Sequence, residues 1–237
     1  MNKIDFDNSI NIFTDASTTT HNGVVVGSAG FIVVVNKCIQ YSTHRVLYNV
    51  TSNYSEMYAI LMAIKYILFI KSNIFNYPIP RINIFSDSEI IIFGLRKWVF
   101  SWVNKKKCRS DSFMSEKKTT KEQLSLGMDL FKFVITSIVD NDIYLNLYHT
   151  LSHKRYNNAM DLQKIITKFR INNKIKINAT DASYLAYYNS FVDNMTRKNL
   201  LSITEDPMFE TTKDLYKMNS SITVSYTHLT LPTTERV

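Results

Sequence analysis

Glycine and proline are scarce, 5 and 4 in 237 residues, which argues against long flexible or low-complexity stretches. Only two cysteines occur, Cys38 and Cys108. Their spacing matches no metal-ligand motif and no signal peptide precedes them, so reduced thiols in a cytoplasmic setting are expected rather than a disulfide. Long apolar runs are also missing: the longest, "YAILMAIKYILFI", has 13 residues and carries Lys65. It reads as a core helix, and no membrane partner is expected. No repeat of solenoid length appears. Acidic residues are in deficit, 20 against 28 Lys and Arg for a net charge of +8, and the isoelectric point lies near 9.3. This balance favours polyanionic partners, nucleic acid before an acidic membrane surface.

What is present is a globular composition, 45% hydrophobic and 13% aromatic, in a chain long enough for one domain of ordinary size with additions. The expected organisation places one α/β domain in residues 1–200 and an incomplete C-terminal extension in 201–223. The last stretch, 224–237, reads "VSYTHLTLPTTERV". It looks like the in-frame translation of a sequencing-library adapter, a non-native tail to be left out of fold reasoning.

One phrase is written twice, "INIFTDAS" at Ile10–Ser17 and "INIFSDSE" at Ile82–Glu89. Each is an apolar, β-branched run that ends in a hydroxyl residue and an aspartate, as a strand does when it runs out into a loop. Ile10 to Thr14 is the first expected strand. "GSAGFIVVVN" from Gly27 is the second, its glycines easing a bulge or a close approach of backbone to another group. "KCIQYSTHRV" completes an antiparallel meander. A helix from about Ser55 to Lys71 would put Glu56, Ala59, Ile60, Ala63 and Ile67 on one stripe, aiming Glu56 inward at its first turn. "RINIFSDS" is the fourth strand, followed by a helix through "IIIFGLRKW", a polar basic segment, and a helix over about Lys121 to Val139. "IYLNLYHT" is the fifth strand, ending near His149, and the remainder is helical, best defined in "SYLAYYNSFVDNMTRKNLL". The expected architecture is a mixed five-stranded sheet flanked by helices.

Parallel strands joined by a crossover end on the same side of a sheet, where ligands bind. If the first and fourth strands are such neighbours, Asp15 and Asp87 face each other there, with Glu56 as a third oxygen donor. Like charges held that close are costly unless a cation sits between them, and Mg²⁺ suits carboxylate oxygens and phosphoryl chemistry. Strand-end aspartates are also common as solvated caps and turn formers, so the pattern alone leaves both readings open.

"FTDAS", the glycine-containing second strand, "TSNYSEMYAILMAI", "IFSDSE", "GLRKWVFSW", "LSHK" and "NSFVDNMTR" together resemble the ribonuclease H family of the type 1 kind, over roughly residues 8 to 200. The resemblance implies the ribonuclease H-like fold. It carries over Asp15, Glu56, Asp87 and, more loosely, Asp193 as carboxylates holding two Mg²⁺ ions, with Mn²⁺ as the alternative metal, for in-line attack on an RNA phosphodiester. Asn189 and Asp193 share a helix face at i, i+4, and Asp161 and Asp181 are rivals for the fourth carboxylate. His153 in "HTLSHKR" resembles the family's loop histidine, which assists proton transfer or product release; His149 competes for that role. About 40 residues separate His153 from Asp193, a longer connection than in compact family members.

The same resemblance implies substrate contacts. Asn53 would touch the hybrid in the minor groove, where 2′-hydroxyls are displayed, and Thr51 would belong to a DNA phosphate pocket; a turn role competes for both. Trp98 and Trp102, with Arg96, Lys97, Lys105, Lys106 and Lys107, would form a basic, tryptophan-bearing grip on the DNA strand, against core anchoring for a tryptophan and a solvated face for the lysines. The implied activity is a metal-dependent endonuclease acting on the RNA strand of RNA/DNA hybrids, as a monomer with no protein partner implied. Two alternatives stand: a DNA- or junction-cutting nuclease of the same fold, and a non-catalytic module binding hybrid or double-stranded RNA.

Overall fold

A computed structural model describes residues 4–73, 81–98, 145–151 and 159–204. Three strands open the chain: β1 (Ser9–His21), β2 (Val24–Val35) and β3 (Cys38–Tyr48). Two-residue turns join them. Asn22 and Gly23 have φ of 50° and 77°, and Asn36 and Lys37 have φ of 50° and 60°, the left-handed pair that matches the twist of a tight hairpin. Then follow α1 (Ser52–Asn73), β4 (Arg81–Ser86), α2 (Glu89–Phe93) with a π-helical continuation over Gly94–Trp98, β5 (Leu145–His149), α3 (Ala159–Asn173) and α4 (Ala179–Thr204). The sheet order is β3-β2-β1-β4-β5. β1–β2 and β2–β3 are antiparallel, β1–β4 and β4–β5 parallel.

The doubled phrase explains itself in this sheet. Its copies lie side by side in register: Ile10 pairs with Ile82, Asn11 with Asn83, Ile12 with Ile84, Phe13 with Phe85 and Thr14 with Ser86. Alternation sends the two sets of side chains to opposite faces. Ile10, Ile12, Ile82 and Ile84 pack with Ile60, Ala63, Ile64 and Ile67 of α1. Phe13 and Phe85 face α3 and α4, in a cluster with Tyr148, Phe169, Leu185 and Val192. Helices therefore cover both faces of the sheet. The rings of Phe13 and Phe85 stack at 4.8 Å, and Phe85 stacks on Tyr148 at 5.2 Å.

Four differences from the sequence expectations have physical causes. β1 runs on past Thr14 to His21 because the Asn22–Gly23 turn zips its polar half against β2 alone. The glycines of β2 serve close approach and not the bulge, which lies between Val33 and Val34. A Cβ on Gly27 would stand 2.6 Å from Ser55 Oγ of α1, and one on Gly30 2.8 Å from Met195 Cε of α4. Helix α1 begins three residues before Ser55 because Thr51 caps it, its Oγ1 accepting from Tyr54 N at 3.1 Å, which puts Glu56 in the second turn. Finally, α4 passes the expected boundary at residue 200 and ends at Thr204, with Leu200 buried against Val24 and Val26. The basic segment after Trp98, the helix expected over Lys121 to Val139 and the stretch 205–237 lie outside the described residues.

Candidate metal centre

The β1–β4 ladder ends at Thr14 and Ser86, and the next residue on each strand is an aspartate. Asp15 is buried and Asp87 half-buried. α1 crosses the opposite face and delivers Glu56, also buried. One carboxylate oxygen from each of the three lies within 4.8 Å of the others. Burial, and then the charges of Asp87 and Asp193, push the Asp15 carboxyl well above its ordinary value. Burial, and then Asp15 and Asp87, do the same to Glu56. Glu56 Oε2 is buried without a hydrogen-bond partner. A buried carboxylate normally finds a donor or an ion, so this orphaned oxygen among three acids fits a divalent cation, whose hard charge takes such oxygens.

Asp193 lies in electrostatic reach of the group, since its charge raises both Asp15 and Glu56. Its carboxylate accepts from Arg197 Nε at 2.7 Å, one turn along α4. Thr196, fully buried between them, places Oγ1 3.3 Å from Asp15 Oδ2 and 3.0 Å from the Asp193 carbonyl. Gly30, paired with Asp15 across the β1–β2 ladder, makes this approach possible, because a Cβ there would meet Thr196 Cγ2 at 3.1 Å and the Thr43 carbonyl at 3.0 Å. Asn189, on the same helix face as Asp193, is also buried and accepts from Thr150 Oγ1 at 3.0 Å. The rival aspartates stand at helix starts. Asp161 pairs with Lys164 at 3.3 Å, and Asp181 exchanges two hydrogen bonds with Asn178 in a capping box.

His149 is buried at the end of β5. Its Nε2 donates to the Asp87 carbonyl at 3.0 Å and its Nδ1 accepts from Asn172 Nδ2 at 2.6 Å. Burial lowers its pKa below the ordinary imidazole value, which matches a neutral ring with one donor and one acceptor. His153, Trp102, Lys105, Lys106 and Lys107 lie outside the described residues, and Trp98 closes the π-helical stretch; Arg96, expected on a phosphate, is instead engaged inside the protein, donating to Asn173 Oδ1 at 2.7 Å and to the Asn172 carbonyl at 3.3 Å. Thr51 and Asn53 stand at the N-terminus of α1, both half-buried. Sequence reasoning missed Thr196, Arg197 and Asn172. The first two flank Asp193 at helical spacing and were legible as a face of α4. Asn172 carries no such signal.

A mixed sheet with helices on both faces, which brings two aspartates together where its central parallel pair stops and adds a glutamate from the helix packed against it, is the ribonuclease H-like fold with its acidic centre. The sequence profile of the RNase H family matches residues 7–138. The chain belongs to the RNase H family, and is thus a ribonuclease H-type enzyme. Among solved structures it is similar to LC11-RNase H1 isolated from compost, at 16% identity and a TM-score of 0.44, covering 68% of this chain and 97% of that one. It is also similar to the protease-reverse transcriptase of prototype foamy virus, at 15% identity and a TM-score of 0.48, covering 77% of this chain and 22% of that one. A third is RNase H1 from Halobacterium salinarum, at 13% identity and a TM-score of 0.38, covering 61% and 86%. No curated protein sequence matches the chain.

Proposed function

We propose that the protein hydrolyses the RNA strand of RNA/DNA hybrids with two Mg²⁺ ions held by Asp15, Glu56, Asp87 and Asp193. The observation that carries this reading is the trio of carboxylate oxygens within 4.8 Å, one acid of which keeps a buried oxygen without a partner. Bound there, the cations supply neutralisation of the scissile phosphate and a water of lowered pKa for in-line attack. The protein's part is to hold the acids at fixed separation. Asp15 is held by β1 and the Thr196 hydroxyl, Asp87 by the end of β4, and Glu56 by a helix whose alanines bring it close to the sheet. Asp193 joins as the fourth carboxylate when Arg197 yields it, an exchange that an exposed guanidinium makes at small cost.

His153 is assigned to moving a proton at the leaving or attacking oxygen, a task for which an imidazole is suited. Asn53 is assigned to the 2′-hydroxyls of the RNA strand, and Thr51 to a phosphate of the DNA strand. The N-terminus of α1, where both stand, favours phosphate oxygens. Trp98, Trp102 and Lys105 to Lys107 are assigned to the DNA backbone. The net charge of +8 supports a polyanionic substrate. The test is cleavage of RNA/DNA hybrid, double-stranded RNA, single-stranded RNA and double-stranded DNA, each with Mg²⁺ and with chelator. Mg²⁺-dependent cutting of the hybrid's RNA strand is expected. Efficient cutting of double-stranded DNA that disappears in Asp87→Asn would replace this reading with that of a DNA nuclease.

A further inference from the structure

The backbone of Asp87 lies just beyond the ladder that orders the rest of β4. The last register pair on one side is Ser86 with Thr14 and on the other Ser86 with His149, and the last backbone bond from β5 runs from Thr150 N to the Ser86 carbonyl at 2.9 Å. Past that point the neighbouring strand reaches forward with a side chain, and His149 Nε2 takes the Asp87 carbonyl at 3.0 Å. The imidazole is itself held. Asn172 Nδ2 approaches Nδ1 at 2.6 Å, so the proton belongs on Nε2, facing Asp87. The next residue, Asn173, grips the backbone of His149 with both ends of its amide: Oδ1 accepts from His149 N at 2.9 Å and Nδ2 donates to the His149 carbonyl at 2.8 Å. Arg96, from the π-helical stretch, donates to Asn173 Oδ1 at 2.7 Å, to the Asn172 carbonyl at 3.3 Å and to the Leu147 carbonyl. The C-terminus of α3, the end of β5 and the stretch after α2 thus converge on one hydrogen bond, and its acceptor belongs to a carboxylate residue of the metal centre.

We infer that His149 is a positioning residue for the metal centre: its Nε2–H, oriented by Asn172, holds the Asp87 backbone so that the carboxylate of Asp87 stays in reach of Asp15 and Glu56. The inference rests on the proposed reading of those acids as metal ligands. It gives His149 a role separate from that of the loop histidine, because both ring nitrogens are already engaged within the protein and neither is free to meet substrate. The consequence is a split in behaviour. Loss of the Nε2 donor weakens metal binding, whereas affinity for hybrid at saturating metal stays near that of the wild type, since His149 touches no surface assigned to substrate.

The experiment compares wild type, His149→Phe, His149→Gln and Asn172→Ala. Phe keeps a flat ring and removes the donor, while Gln places an amide N–H near the Nε2 position. Each protein is titrated with Mg²⁺ in the absence of substrate, following the rise in melting temperature, and then assayed for the Mg²⁺ dependence of hybrid cleavage. His149→Phe is expected to need about 10- to 100-fold more Mg²⁺ in both titrations, the scale seen when the outer partner of a ligand is lost. KM for hybrid at saturating Mg²⁺ should remain within about twofold, as expected for a residue outside the substrate surface. His149→Gln should recover most of the metal affinity, and Asn172→Ala should fall between. In the wild type, ¹⁵N shifts should report the Nε2-protonated tautomer. Should His149→Phe fail to fold, His149→Gln and Asn172→Ala carry the same comparison. Wild-type metal affinity in His149→Phe or in Asn172→Ala, or equal impairment of Gln and Phe, overturns the inference while leaving the metal-centre reading intact. A wild-type protein that neither responds to Mg²⁺ nor cleaves hybrid overturns that reading and this inference with it.

Discussion

Strands β1 and β4 bury two polar clusters on the same face, four residues apart. At the first, Asn83 Nδ2 donates to Ser9 Oγ and Asn11 Oδ1, both at 3.0 Å, and Asn83 Oδ1 accepts from Asn146 Nδ2 at 3.0 Å. Asn11 Nδ2 donates to the Phe6 carbonyl at 2.9 Å. At the second, Asp15, Asp87 and Glu56 crowd their carboxylates together, and Glu56 Oε2 has no partner. Between the clusters lie the stacked rings of Phe13 and Phe85. Both clusters cost desolvation; the asparagines recover it in a connected ladder, whereas the acids keep Glu56 Oε2 without a partner and raise one another's pKa values. A neutral, fully bonded ladder is what a sheet needs to fix its register, because a slip would strand every amide in it. A set of acids that repel one another costs the fold stability, and a cation between them would offset that cost.

The sharpest break in this comparison is a single amide in the acid cluster. Asp87→Asn or Asp15→Asn should lower hybrid turnover by at least about 10²- to 10³-fold, the scale of losing one preorganised electrostatic contact, with an unchanged circular dichroism spectrum. The mirror experiment is Asn83→Leu, which leaves Ser9, Asn11 and Asn146 short of partners. It should cost roughly 2–4 kcal/mol in urea unfolding, since each stranded buried group costs about 1–3 kcal/mol. Turnover per folded molecule should stay close to wild type. One cluster therefore fails in activity and the other in stability.

Much of this was legible before the structure. The side-by-side placing of Asp15 and Asp87, just past the last β1–β4 pair, was legible from the doubled phrase although β1 itself runs on to His21, and the inward stripe of Glu56, Ala59, Ile60, Ala63 and Ile67 follows from period alone, its positions all buried. The asparagine ladder was hidden in plain view. The doubled phrase carries Asn, Phe and Asp at i, i+2 and i+4 in both copies, and two parallel neighbours with that spacing must bury the amides side by side. Less accessible were contacts made over distance. His149 meets Asn172, 23 residues on, and Thr196 meets Asp15 from 181 residues away, pairings set by how α3 and α4 lie on the sheet and by no local pattern. The early start of α1 was missed for another reason: the hydroxyl of Thr51, set against a phosphate-binding role, also serves as the helix cap.

Acidity should sharpen the comparison further. Asp15 and Glu56 have folded-state pKa values raised above the unfolded ones, chiefly by burial. Their contribution to stability is therefore fully present below the unfolded carboxylate values and is lost as pH rises through the folded ones. In chelator, the melting-temperature gap between wild type and Asp15→Asn should open as pH rises from about 4 toward neutrality, by roughly 2–4 °C for each kcal/mol. A gap independent of pH would remove repulsion and burial as its cause. The smallest effect is expected from Thr196→Val, which deletes the hydroxyl beside Asp15. A loss of about 1 kcal/mol in stability is the scale of one hydrogen bond, accompanied by a modest fall in turnover read from steady-state kinetics.

The contrast between a satisfied and an unsatisfied cluster is met most directly by melting wild type and Glu56→Gln side by side near neutral pH, first in chelator and then in saturating Mg²⁺. Gln keeps the volume of Glu56 and removes one of the crowded charges. With chelator the variant should melt higher than the wild type, and Mg²⁺ should raise the wild type more than the variant, closing or reversing the gap. A variant that melts lower in chelator, with both proteins responding equally to Mg²⁺, would contradict the assignment of these acids as a cation site that costs the metal-free fold stability.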